Sequence, residues 1–169
     1  MARNVVSLLF VAAVTLAAPL GTAQADEHED RVVPMSSDEP MMRKAFKRAS
    51  AELDVFLKTA RAPASHQSDF AVKVGLKEGM QTEYVWISDF KEDARGNFSG
   101  VINNAVEIAR KYKLGDTYRF TRADIVDWLY FDAREVRMYG NYTLCALLTQ
   151  EPAEQAAKAI AEYKLDCAL

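Results

Sequence analysis

The residues predict an α+β domain in which an antiparallel sheet packs against an N-terminal amphipathic helix and a C-terminal helix. Three observations carry that prediction. Apolar side chains recur every three or four positions over 38–60, the period of a helix with one buried face. Alternating runs follow at 70–76, 82–90 and 98–102, and their short connections suit antiparallel meander order rather than parallel crossovers. An alanine-rich stretch behind Pro152 closes the chain as a helix.

The residues ahead of the first helix read as an address. Arg3 precedes a mostly apolar run from Val5 to Ala18, which Pro19 and Gly21 break. Ala23-Gln24-Ala25 then offers small residues for cleavage, so 1–25 is expected to be a secretory signal peptide. As a helix the run would span about 21 Å, short of the roughly 30 Å of a hydrocarbon core. Removing 25 of the 169 residues leaves 144; because Arg3 is the only charge removed, the net charge moves from −3 to −4. Residues 26–36 are expected to be a mobile acidic segment and 37–169 a single domain.

Composition removes several classes. With 50% hydrophobic and 27% charged residues the chain can build a core, which argues against disorder. The acidic balance gives no reason to expect nucleic acid. No later apolar stretch is long enough to span a membrane after cleavage.

Each element has its own signal. Ser37 is the expected N-cap of the first helix, with Asp38, Glu39 and Pro40 in its first turn. Met42, Ala45, Phe46, Ala49, Leu53, Phe56, Leu57 and Ala60 form its apolar face. Residues 61–65 are a linker. Gly79 and Gly96 mark the turns between the three strands. Asn104 and Glu107 form a capping-box pattern for a short helix that Gly115 ends. A strand follows over 116–120, then a single turn opened by Thr121 and Asp124 and running to Asp127. Strands at 128–131 and 136–139 flank a turn at 132–134; 141–150 leans helical, and 152–163 is the terminal helix.

Catalytic signatures are sparse. The two His, His28 and His66, have no partners at metal-ligand spacing, and nothing implies a cofactor. Cleavage after Ala25 would create the N-terminus Asp26-Glu27-His28, whose amine, amides and imidazole could chelate Cu(II) or Ni(II) in a square plane. An oxidising compartment favours a Cys145–Cys167 disulfide over two free thiols. Carboxylates such as Glu83 and Asp127 could in principle serve acid–base chemistry. Trp86 and Trp128 can serve as stacking platforms, although core packing is the commoner role of such residues. The candidate binding surface is therefore Glu83, Asn103, Asp127 and Tyr142 gathered around Trp86 and Trp128.

The order of several stretches resembles the YegJ-like family of exported bacterial domains. They are Ala45 to Leu57, Phe70 to Gly79, Glu83-Tyr84-Val85-Trp86-Ile87 and Phe98-Ser99-Gly100-Val101-Ile102-Asn103. Next come Gly115-Asp116-Thr117-Tyr118-Arg119-Phe120, Ile125-Val126-Asp127-Trp128-Leu129-Tyr130 and Gly140-Asn141-Tyr142-Thr143. The resemblance implies a secreted α+β domain and supplies no activity. Tyr84 stands where the family often has His, and Cys145 where it often has Arg.

The leading expectation is a periplasmic, non-catalytic binding or interaction module for an envelope protein or small ligand. The alternatives are a hydrolase of envelope substrates using carboxylates and Tyr, and a copper- or nickel-binding envelope factor.

Overall fold

The computed structural model describes residues 36–169. The expected signal peptide and nearly all of the acidic segment lie outside them. The first helix, α1, spans Pro40–Arg61 and buries Met42, Ala45, Ala49, Leu53, Phe56 and Leu57. Its N-cap position is held by Glu39 rather than by Ser37. Proline decides this: at the first helical position its missing N–H costs nothing and its fixed φ is already helical.

Six strands follow: β1 (Gln67–Glu78), β2 (Gln81–Glu92), β3 (Asn97–Ile102), β4 (Thr117–Thr121), β5 (Ile125–Asp132) and β6 (Arg137–Gly140). All pairings are antiparallel, but the sheet order is β4-β3-β2-β1-β5-β6. The simple meander expected from the short connections thus holds only through β4. The chain then returns to the far side of β1.

That return reveals the curvature of the sheet. β4 and β5 lie four strand spacings apart in sheet order, about 19 Å if the sheet were flat. Only a 3₁₀ turn, Arg122–Asp124, joins them. Even fully extended, the four steps from Thr121 to Ile125 reach about 14 Å. The sheet must therefore curl, and it curls around α1. Phe56 of α1 lies near Phe70 of β1, Phe90 of β2, and Trp128 and Tyr130 of β5, at centroid distances of 6.1, 6.0, 4.8 and 6.5 Å. Val72, Val74, Leu76, Val85, Ile87, Ile102 and Phe120 complete the same core. The 3₁₀ turn keeps the expected bond: Asp124 accepts from the Thr121 N–H at 2.7 Å. It ends at Asp124, and β5 takes Ile125 to Asp127 as strand.

No helix forms between β3 and β4. The groups that would have capped it are used elsewhere. Asn104 Oδ1 accepts from the Trp86 N–H at 2.7 Å, and the N–H groups of Glu107, Ile108 and Ala109 donate to the Glu83 carboxylate. The segment is an irregular loop in which the Glu83 carboxylate gathers three successive N–H groups, with Glu78 and Asp116 accepting from the N–H groups of Lys111 and Lys113 further on.

After β6, Gly140 and Asn141 adopt left-handed backbone (φ 74° and 56°) and turn the chain into α2 (Tyr142–Leu148), which packs on α1 and β5. A Cβ at Gly140 would lie 2.1 Å from the Trp128 carbonyl, so the turn needs glycine. The terminal helix α3 (Ala153–Tyr163) follows the sheet but contributes no fully buried residue. A Cys145–Cys167 disulfide ties the tail behind it to α2.

Candidate functional site

The β1–β2 ladder runs from Glu78↔Gln81 to Ala71↔Ser88 and stops there, although both strands continue. Beyond this point β1 stays with β5 and β2 stays with β3. Each strand carries a bulge where they part. On β1, three residue steps from Ser68 to Ala71 face two on β5; on β2, three from Ser88 to Lys91 face two on β3. A bulge bends its strand and redirects side chains. Here Phe70 and Phe90 meet Phe56 on the core side, although the alternation of Val85 and Ile87 would have sent Phe90 outward.

The fork leaves an open groove of about 600 Å³, lined by Asp69, Phe70, Ala71, Trp86, Ser88, Asp89, Phe90, Asn103 and Leu129. Its geometry follows from the register. Ala71 and Ser88 are direct cross-strand partners, so small side chains make the floor. Half-buried Trp86 stands next along β2, and the Asn103 N–H donates to its carbonyl at 2.8 Å. At the opposite end lie Asp69 and Asp89, both exposed and both in left-handed backbone, φ 57° and 49°. Aspartate tolerates that region better than most residues, and such outliers gather at functional sites.

Behind Trp86 lies a buried polar row. Lys73 pairs across the sheet with both Trp86 and Asp127. Its ammonium sits 4.5 Å from the Trp86 ring centroid and donates to Thr143 Oγ1 at 2.7 Å. Thr143 Oγ1 in turn donates to Asp127 Oδ2 at 2.7 Å. Asp127 has 0% exposure and also accepts from the N–H groups of Trp128, Tyr142 and Thr143, at 2.8, 3.3 and 2.7 Å. It is thus the acceptor for the opening turn of α2. Burial pushes the Asp127 carboxyl up, against the pull of its donors and of Lys73; burial likewise pushes Lys73 down, against the pull of Asp127.

The six residues expected to share one surface fall in four places. Trp86 and Asn103 line the groove. Asp127 lies beneath it, connected through Thr143 and Lys73. Trp128 faces the core, stacked on Phe56, with Nε1–H donating to the Ala49 carbonyl at 2.9 Å. Tyr142 packs edge-on to Trp128 and under Arg48, and its hydroxyl donates to Glu52. Burial and that bond hold the phenol well above its usual range. Glu83 serves the β3–β4 loop: burial would raise its carboxyl, but three N–H donors outweigh it and lower the group. Asp26, Glu27 and His28 lie outside the described residues.

Sequence reasoning missed Lys73, Thr143, Asp69 and Asp89. Lys73 had a signal, being the one charge in the otherwise apolar run 70–76. The aspartates had none, because a bulge depends on how two partner strands register.

Among the described residues no helix is long and apolar enough to cross a membrane. No solved structure matches the chain. "Uncharacterized protein YegJ" of Escherichia coli (strain K12) is 33% identical over 135 residues, covering 80% of this chain and 85% of that protein. The family described as "Uncharacterized protein conserved in bacteria (DUF2314)" matches residues 38–165, from the cap of α1 to just past α3. The sheet, the fork and the buried polar row all fall inside that match, and the chain belongs to the DUF2314 family.

Proposed function

We propose that this protein is an exported binding module that receives its partner in the groove at the β1–β2 fork and does not transform it. The observation that carries this reading is the division of labour among polar groups. Asp127 and Glu83, the carboxylates the sequence offered for acid–base chemistry, are occupied by backbone donors. The groove itself offers an aromatic wall, a small-residue floor and polar groups with spare hydrogen-bonding capacity at its rim. Recognition sites have that composition: apolar contact area with a few placed polar groups. Export is supported by the pattern of 1–25 and by the Cys145–Cys167 bond, which suits an oxidising compartment.

Site-directed photo-crosslinking in the exporting cell tests the reading. A crosslinker at Ser88, on the groove floor, should capture a discrete adduct, and Trp86→Ala should diminish it. The same crosslinker at Val55, exposed on α1, should not capture it. Equal capture at both positions, or none at Ser88, would overturn the reading.

A further inference from the structure

The groove is electrically polar along its length. We infer that its ligand is a cationic alkyl chain, the arginine or lysine side chain of an extended peptide, with its charged head at Asp69 and Asp89 and its stem on Ala71, Leu129 and Trp86. This deepens the binding reading above and rests on it.

Three features fix the orientation. The Trp86 ring already carries the Lys73 ammonium on one side, so a second cation is disfavoured at that end. The opposite end presents two carboxylates from neighbouring strands, at the two bulges that open the fork. Ser68 Oγ donates to Asp69 Oδ2 at 2.8 Å, leaving the other oxygen of Asp69 for a ligand. Between the ends, Ala71 and Ser88 are small enough for a side-chain stem to lie along the fork. An arginine fork bonds a carboxylate with directionality, and its methylenes supply the apolar contact. The acidic balance of the whole chain favours approach of the same class of partner.

The test uses the full mature chain, 15N-labelled, and two probes of nearly equal shape. N-acetyl-arginine methylamide should shift the Trp86 indole and the Ala71 and Ser88 amides. N-acetyl-citrulline methylamide, which is neutral, should bind at least ~10-fold more weakly, as expected for loss of a charge-assisted bond. Asp69→Asn combined with Asp89→Asn should erase that discrimination. Asparagine accepts left-handed backbone, so the bulges and the fold are kept. Glu162→Gln, on α3, should change nothing. Citrulline binding as well as arginine, or discrimination surviving the double variant, overturns the cation while leaving a groove that binds. No shift in the groove with either probe also overturns the cation, and crosslinking at Ser88 then decides the binding reading by itself.

Discussion

Asp127 is a carboxylate whose whole hydrogen-bonding capacity is spent inward. Each of its oxygens accepts two bonds, and all the donors belong to the protein. Asp127→Asn would replace one oxygen by an NH2 group facing donors, leaving amides at the start of α2 unpaired. It should cost about 3 kcal/mol in urea unfolding, whereas Thr143→Val should cost about 1–2. The pair should be strongly non-additive in a double-mutant cycle, since both changes break the same contact. A loss below about 1 kcal/mol for Asp127→Asn would sink the assignment. Trp86 and Trp128 make the complementary point. Both read as aromatics of a strand, yet one lines a groove and the other fills the core with its N–H on Ala49. Residue type left both a stacking surface and a place in the core open to each; the face each one takes depends on register.

At the scale of elements, Glu83 shows local and tertiary signals in competition. Asn104 and Glu107 spell a capping box, but the Asn104 side chain serves Trp86, and Glu83 collects three successive N–H groups. A helix end and a loop cradle offer the same commodity, unpaired backbone donors, and a carboxylate on β2 takes them first. Because the fold lowers the Glu83 carboxyl, its ionised form is held more tightly than in the unfolded chain. The stabilisation is therefore present above the ordinary carboxylate range and is lost as pH falls through the lowered value in the fold. In a pH series of amide spectra, Glu107, Ile108 and Ala109 should titrate together, below the usual glutamate range. Glu83→Gln should leave these amides in their low-pH positions at neutral pH. Three unrelated titrations, or a midpoint at or above the ordinary value, would remove Glu83 from this role. The bulges of β1 and β2 belong to the same scale. Their alternation was legible from 70 to 76 and from 82 to 87, and it failed where the strands part.

For the whole molecule, curvature and the disulfide set the limits. The sheet wraps α1 because a three-residue connection joins strands four places apart. α3 contributes little core, so the C-terminal tail relies on cross-links. Cys145–Cys167 closes a separation of 22 residues, and Arg48 holds Asp166 through a 2.6 Å ion pair and the carbonyls of Asp166 and Ala168. Cys145→Ser with Cys167→Ser should lower stability by about 3 kcal/mol on the chain-entropy account. Hydrogen exchange should rise in α3 and the tail before it rises in the sheet. Intact mass of protein recovered from the periplasm should match a chain starting at Asp26 with both cysteines oxidised. A mass two hydrogens higher would contradict the oxidised state, and an unprocessed chain would contradict export.

By itself the sequence determined the fold class, the order of its six strands and the apolar face of α1. Those depend on periodicity, which is written in neighbouring residues. It also favoured joining two cysteines, on grounds of compartment. Only the tertiary structure decided that β5 lies beside β1, that the β3–β4 segment is not helical, and that β1 and β2 part into a groove. Each of those outcomes is set by which distant groups compete for the same hydrogen bonds and the same core volume, and no local pattern contains that competition.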